Sequence, residues 1–192
     1  MGVGVVLLSN PHTTAARRDL YTGQIVEEAA LLSKSWAIIA KQSKPLQSAD
    51  KTQIAELDLD KGVQDFVEEY GIKCVISIGG TAEPGISLKS QADGPEGEEI
   101  LDIITSGLEP HFGINSETDR PENRLPRHRS SDTGRGESST HSVHTIQLEL
   151  GPEERSFRKD LVVNSVADIV GLINAKLGFS ASGNEGSSGA LD

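Results

Sequence analysis

The segment Val3–Ser9 reads VGVVLLS and is apolar almost without interruption. A strand with one wet face alternates polar and apolar residues, whereas a strand covered on both faces is apolar throughout. Val3–Ser9 therefore predicts a buried strand of a sheet that has helices on both sides, and Asn10-Pro11 is expected to end it. Trp36–Ala40 (WAIIA) and Lys73–Ile78 (KCVISI) have the same character and predict two more buried strands, the latter ended by Gly79-Gly80.

Segments with helical periodicity separate these strands. Helices are expected from Thr22, from Asp58 to a stop at Gly71, from Pro95 to about Leu108, and over about Arg158–Leu177. The polar stretch Lys41–Leu57 predicts a long loop before the second helix. Since helices and buried strands alternate along the chain, a sheet with crossover helices is expected.

Two further strands are expected in the second half of the chain. Thr145–Leu150 (TIQLEL) alternates, so that Thr145, Gln147 and Glu149 share one face. His111–Asn115 predicts a shorter strand. The element order predicts an α/β three-layer sandwich, with a mostly parallel or mixed central sheet and helices on both faces.

The domain organisation follows from changes in composition. Residues 1–179 are expected to form a single α/β domain. Within it, residues 116–140 are polar and arginine-rich and predict a mobile loop. Residues 180–192 are rich in Gly and Ser and predict a disordered tail.

Charge and composition exclude several classes of function. The net charge of −11 repels phosphate backbones, so no nucleic-acid partner is expected. No apolar run approaches the roughly 18 residues that span a membrane, so no membrane association is expected. The apolar run near the N-terminus is too short for a signal sequence, and the one cysteine, Cys74, excludes an internal disulfide, so a cytoplasmic location is expected. The oligomeric state is left open.

A polar cluster follows the first strand, at the sheet edge where ligands bind in α/β folds. His12 can bind a metal ion or act as a base there, although a surface-loop histidine has the same sequence signature. Asp19 can supply a carboxylate ligand, and Arg17 or Arg18 can hold a substrate carboxylate. A solvated Arg–Asp pair is the simpler alternative.

Two other places carry candidate chemistry. Glu149 lies near the carboxyl end of its predicted strand, and its carboxylate is a candidate general base. The alternative is that this strand is the outermost strand of the sheet and that Glu149 simply faces solvent. If that strand begins early enough to include His144, this side chain points with Ile146, away from Glu149. The Gly79–Thr81 segment could hold an anion through backbone N–H groups, although two glycines favour a plain turn and no phosphate-loop motif occurs.

Four blocks in a fixed order resemble the N-formylglutamate amidohydrolase family and its poly-γ-glutamate hydrolase relatives, whose core is similar to that of zinc carboxypeptidases. The blocks are SNPH (Ser9–His12), YTGQI (Tyr21–Ile25), VISIGG (Val75–Gly80) and HTIQLELGPEER (His144–Arg155), and together they span about residues 3–177. The resemblance implies a zinc-dependent amidohydrolase that acts on a small acidic N-acyl or peptide-like amide. It also implies the α/β core already expected.

The resemblance assigns roles to individual residues. It makes His12 the first zinc ligand and Asp19 an acidic ligand, and it makes Glu149 the residue that assists catalysis. An arginine of the polar loop, with Arg135 as the candidate, would receive a substrate carboxylate.

One departure from the family pattern bears on the metal. The family has a ligand histidine where this chain has Gly79, and glycine offers no side-chain donor, so an incomplete metal site is expected. The available replacements are His111, His128, His141 and His144. Two alternatives to a zinc hydrolase stay open: a non-catalytic protein that keeps the fold and binds an acidic ligand or a partner, and a phosphate- or nucleotide-binding module that uses Gly79–Thr81.

Overall fold

The structure is a computed structural model, and it describes residues 4–10, 21–39, 62–92, 94–116 and 143–178. The described part of the chain alternates between strands and helices. The elements are β1 (Val6–Asn10), α1 (Thr22–Ser33), β2 (Trp36–Ile39), α2 (residues 62–70), β3 (Cys74–Gly80), β4 (Ile86–Gln91), α3 (Gly94–Leu108), β5 (Ile114–Ser116), β6 (His144–Leu150), α4 (Pro152–Ser156) and α5 (Lys159–Gly178).

The strands form one mixed sheet in the order β2-β1-β3-β6-β4-β5. Strands β2, β1, β3 and β6 are mutually parallel, β4 runs antiparallel to β6, and β5 is parallel to β4. The carboxyl ends of the four parallel strands therefore meet at one edge, which we call the carboxyl edge. Because β4 is antiparallel to β6, it begins at this edge.

Helices cover both faces of the sheet, as the sequence predicts. On one face, here called the core face, side chains such as Leu8, Ile76 and Leu148 pack beneath α1, α3 and α5. On the opposite face, Leu7 and Val75 pack with side chains of α2 in a smaller apolar cluster. The α/β three-layer sandwich with a mixed central sheet is thus confirmed.

The boundaries of the first buried strand differ from the prediction. Strand β1 begins at Val6 and continues through Asn10, rather than ending before it. The buried side chain of Asn10 donates hydrogen bonds from Nδ2 to Thr22 Oγ1 (2.7 Å) and to the carbonyl oxygen of Ile78 (2.9 Å). A polar residue with both contacts is accommodated inside the sheet, so Asn10 extends the strand.

Other elements also depart from the sequence expectation. Gly79 and Gly80 do not end β3 but belong to it, because both pair with β6. Strand β4 and helix α4 are absent from the predicted elements. The strand expected over His111–Asn115 begins only at Ile114, because His111 and Phe112 belong to the turn after α3 and donate their backbone N–H groups to the Leu108 carbonyl oxygen.

Helix α5 is long and apolar enough, by length and composition alone, to span a membrane. Half of that stretch is buried inside the fold, and residues such as Val166 and Ile173 lie in the core beneath the sheet. A core helix of a folded domain has these properties. The predicted loops at Lys41–Leu57 and 116–140 and the tail at 180–192 lie outside the described residues, apart from Ser116, so they and the single-domain prediction stay predictions.

Candidate ligand site at the carboxyl edge

Strands β3, β6 and β4 place six residues together on the face opposite the core face. In one row across the three strands, Gln147 of β6 pairs with Ser77 of β3 and with Lys89 of β4. In the next row on the same face, Glu149 of β6 pairs with Gly79 of β3 and with Ser87 of β4. Register partners on neighbouring strands point to the same face of a sheet. We call these residues, which lie toward the carboxyl edge, the polar patch: Ser77, Gly79, Ser87, Lys89, Gln147 and Glu149.

The carboxylate of Glu149 is held at both oxygens. Lys89 Nζ donates to Oε2 over 3.2 Å, and Gln147 Nε2 donates to Oε1 over 3.0 Å. The side chains of Lys89 and Glu149 are each 24% exposed. A carboxylate in this setting is oriented and charge-compensated while it remains within reach of solvent.

A serine pair continues the polar patch onto β1. Ser9 is buried, and its Oγ lies 2.8 Å from Ser77 Oγ, so the two hydroxyls share a hydrogen bond. Each serine comes two residues after an apolar residue of the same face: Ser9 after Leu7 on β1, and Ser77 after Val75 on β3. Both apolar residues pack against α2. The face opposite the core face is therefore apolar beneath α2 and polar near the carboxyl edge.

The turn between β3 and β4, residues 81–85, crosses the carboxyl end of β6, and we call this turn the rim. The Thr81 N–H donates to the Leu150 carbonyl oxygen (2.9 Å), and the Gly151 N–H donates to the Gly85 carbonyl oxygen (2.8 Å). Gly85 has φ +84°, and a Cβ there would lie 2.7 Å from the Gly113 carbonyl oxygen, so a glycine is required. These backbone bonds fix the turn against the end of the strand that carries Glu149.

Two buried charged side chains of α4 strengthen this rim. Arg155 donates from Nη2 to the Thr81 carbonyl oxygen (3.1 Å) and from Nε to the Leu150 carbonyl oxygen (3.0 Å). Glu154 Oε2 accepts a hydrogen bond from the Gly85 N–H (3.3 Å). Since buried charged groups are costly without partners, these contacts explain why α4 follows β6 directly and why the rim is closely bound to it.

Of the residues that the sequence singles out as functional, Glu149 is described and lies in the polar patch. His12, Arg17, Arg18 and Asp19 fall within residues 11–20, and Arg135 falls within residues 117–142, and both ranges lie outside the described residues. Their assigned roles remain predictions.

The described histidines lie away from Glu149. His144 begins β6, points to the core face and is 2% exposed, with Nε2 3.3 Å from a carboxylate oxygen of Glu96. Five residues of strand place it roughly 17 Å along β6 from Glu149. His111 lies in the turn after α3, where its carbonyl oxygen accepts a hydrogen bond from Arg158. Neither joins the polar patch, and His128 and His141 lie outside the described residues.

The donors in the polar patch do not fit a zinc ion. Among the described residues, no group of three His, Cys, Asp or Glu side chains could hold a metal. Gly79 contributes no donor, and Glu149 is already bound to the Lys89 ammonium. A catalytic zinc needs about three protein ligands. The two predicted ligands, His12 and Asp19, lie outside the described residues.

The anion-binding loop considered at Gly79–Thr81 is not present. Both glycines belong to β3 and pair with β6, and the Thr81 N–H donates to Leu150. An anion cradle needs successive N–H groups that converge on one point, which the extended backbone of a strand does not provide.

Lys89 is the functional candidate that the sequence interpretation misses. It lies on β4, whose sequence ISLKSQ alternates Ile86 and Leu88 with Ser87 and Lys89. This period of two is the signal that could have identified both the strand and the face of the lysine.

The sequence matches no protein-family model and no curated protein. The fold is similar to that of the CwlD amidase from Clostridioides difficile, solved in complex with the GerS lipoprotein, with a TM-score of 0.53 and 9% identity over 92% of this chain and 99% of that chain. It is also similar to that of murine aminoacylase 3, with a TM-score of 0.50 and 12% identity over 90% of this chain. The match covers 65% of the aminoacylase, so this chain spans just under two thirds of its length. These likenesses show a shared α/β fold.

Proposed function

We propose that this protein hydrolyses the amide bond of a small acidic N-acyl or peptide-like compound at the carboxyl edge of its sheet. The observation that carries the proposal is the position of Glu149, a solvent-reachable carboxylate near the end of β6 on the polar patch. Ligands of α/β sheets bind beyond the carboxyl ends of the strands. The amidase and aminoacylase names of the structures with a similar fold support the same class of reaction.

In this proposal Glu149 is the general base. It takes a proton from the attacking water and returns a proton to the leaving amine as the carbon–nitrogen bond breaks. Gln147 and Lys89 hold the carboxylate in the orientation needed for this transfer. The carboxylate of the substrate would be received by Arg17 or Arg18, which follow the first strand in the sequence, or by Arg135, as the family resemblance implies.

Zinc belongs to the proposal only through the family resemblance. His12 and Asp19 are its proposed ligands, and the described residues add no third one. The finer assignment to the N-formylglutamate amidohydrolase family is proposed on the four sequence blocks. A cytoplasmic location without nucleic-acid or membrane partners is proposed on charge and composition.

A non-catalytic binding protein is the second candidate. The observation that favours it is Gly79, which provides no donor beside Glu149 where the resembling family has a ligand histidine. Both oxygens of Glu149 also have hydrogen-bond partners already, as in a site that recognises rather than converts a ligand. Such a protein would bind the same acidic amide without turnover.

A direct test measures amine release from N-formyl-L-glutamate and N-acetyl-L-glutamate, with zinc present and with chelator. The full chain is compared with Glu149→Gln and with Glu153→Gln, an exposed glutamate on α4 at the same edge. We expect Glu149→Gln to lower kcat/KM by about 100-fold or more and Glu153→Gln to leave it unchanged. Binding without turnover would support the second candidate, and neither binding nor turnover would overturn both.

A further inference from the structure

Lys89 is the cation that the described residues bring to the polar patch. Its ammonium has three donors, of which one binds Glu149 Oε2 at 3.2 Å. Its side chain is 24% exposed, so the other donors lie within reach of a ligand. The lysine comes from β4, the antiparallel strand, and reaches Glu149 diagonally across the sheet.

The charges of the patch favour a particular chemical group. The Lys89 ammonium and the Glu149 carboxylate compensate each other, so a second carboxylate would be attracted by one and repelled by the other. A neutral amide instead presents a carbonyl oxygen for the ammonium and, where it is unsubstituted or secondary, an N–H for the carboxylate. The pair is therefore complementary to an amide group.

The side chain of Gln147 shows how an amide fits this position. It is itself a primary amide, and its Nε2 donates to Glu149 Oε1 over 3.0 Å. Gln147 is also the register partner of Lys89 on the same face. An amide N–H thus already binds the carboxylate, close to the ammonium that would receive a carbonyl oxygen.

We infer that Lys89 receives the carbonyl oxygen of the scissile amide, and that this contact needs no metal ion. The inference rests on the proposed function and assigns the group that polarises its substrate. As water attacks, the oxygen–carbon bond forms and the carbonyl oxygen gains negative charge, which the Lys89 ammonium stabilises while staying protonated. The proton of the water passes to Glu149 and then to the amine, and the carbon–nitrogen bond breaks.

The experiment compares two ligands that differ in the amide. N-acetyl-L-glutamate carries an amide and two carboxylates, whereas glutarate carries the carboxylates alone. Affinities of both are measured by calorimetry in chelator for wild type, Lys89→Met and Lys89→Arg. The control is Lys176→Met, because Lys176 forms a comparable pair with Glu99 at 2.8 Å between α5 and α3, away from the polar patch.

We expect Lys89→Met to weaken binding of N-acetyl-L-glutamate by about tenfold more than it weakens binding of glutarate, because the uncompensated charge of Glu149 repels both ligands but only the amide loses its contact. Lys89→Arg should retain most of the affinity, because it keeps a cation with donors at this position, and Lys176→Met should match wild type. Lys89→Gln keeps a donor without the charge and gives a second measurement if the methionine variant unfolds. In that variant the affinity for N-acetyl-L-glutamate should again fall further than the affinity for glutarate.

Two results would overturn the inference and leave the proposed function standing. One is an equal fold-loss of affinity for N-acetyl-L-glutamate and for glutarate in Lys89→Met, which would mean that Lys89 acts on the carboxylates of the ligand and not on its amide. The other result is that wild-type protein neither binds nor hydrolyses N-acetyl-L-glutamate in chelator but does both when zinc is added. In that case a metal ion, and not Lys89, would bind the carbonyl oxygen. A wild-type protein that neither binds nor hydrolyses the compound, with or without zinc, would overturn the proposed function and the inference together.

Discussion

Gly79 and Glu149 are register partners on the adjacent parallel strands β3 and β6 and face the same side of the sheet. The position that the resembling family uses for a ligand histidine is therefore directly beside the candidate general base. A side chain at residue 79 would therefore lie on the same face as Glu149, but glycine offers no side-chain donor there. Single substitutions at residue 79 can therefore test whether a zinc ion binds beside Glu149.

Replacing Gly79 by histidine should strengthen zinc binding. Residue 79 lies in a strand and does not have a positive φ, so its backbone conformation suits an L-amino acid, and an imidazole there would share a face with Glu149. Zinc titrations by calorimetry compare wild type, Gly79→His and Gly79→Ala, the last to isolate the backbone effect. Equal zinc affinity in all three proteins would show that residue 79 is remote from any metal site.

The thiol of Cys74 should be unreactive in the folded protein. Burial in the core raises the pKa of the Cys74 thiol to about 12, so only about 1 in 10,000 molecules carries the thiolate at pH 8. Iodoacetamide should leave native protein unlabelled over hours and label it within minutes in strong denaturant, as mass spectrometry would show. Because the chain has one cysteine, rapid labelling of native protein would directly contradict the placement of β3 in the core.

Truncating Leu148 should be among the most damaging core substitutions. Its side chain is 1% exposed on the core face of β6, between β3 and β4. We expect Leu148→Ala to lower the free energy of unfolding by about 2–5 kcal/mol, measured by urea denaturation. Leu31→Ala on α1 is the matched control, because Leu31 is 73% exposed and its truncation should change stability by less than about 0.5 kcal/mol. A loss at Leu148 as small as that at Leu31 would disprove the assignment of its face.

The ion pair between α1 and α5 should contribute to stability only above the titration of its carboxylate. Lys159 Nζ donates to both oxygens of Glu28 at 2.9 Å, and this bond lowers the pKa of Glu28 from its ordinary 4.5. A lowered folded-state pKa gives stability that is present above the unfolded-state pKa and is lost as the pH falls through the folded-state pKa.

Wild type should therefore exceed Glu28→Gln in stability at neutral pH, with the difference shrinking as the pH falls below about 4.5. Thermal unfolding across this range measures it. In a Lys159→Met background, which lacks the ion pair, Glu28→Gln should show a much smaller pH-dependent difference. A difference for Glu28→Gln that is independent of pH would mean that the charge of Glu28 has no part in its contribution.

The sequence predicts the fold more completely than the site. The continuous apolar run in β1 and the alternation in β6 report burial directly, because a covered strand or a half-covered strand restricts composition at every residue. The prediction that the apolar run in β2 is buried is wrong, because β2 is an edge strand of the sheet and its Ala37 is exposed. The alternation of β6 also predicts that Glu149 and His144 lie on opposite faces, which the structure confirms. Strand β4 shows the same alternation as β6, but its signal is shorter because it contains only two apolar residues, Ile86 and Leu88.

The partners of Glu149 could not be predicted, because they depend on strand order rather than on local pattern. Lys89 reaches Glu149 only because the chain reverses direction after β3, so that β4 lies antiparallel beside β6. A turn of a few residues that crosses the end of one strand leaves no periodic signal in the sequence. The same reason hides the roles of Arg155 and Glu154, whose contacts are with the backbone of that turn.

Chemical-shift mapping tests most directly whether the polar patch is a ligand site. N-acetyl-L-glutamate is titrated into nitrogen-15-labelled full-length protein, and the backbone amide shifts are followed. We expect the perturbations among the described residues to concentrate at Ser77–Gly80, Ser87–Lys89 and Gln147–Leu150 and to be lost in Glu149→Gln. Perturbations centred instead on the opposite edge of the sheet, around Cys74 and His144, or no perturbation at saturating ligand, would contradict it.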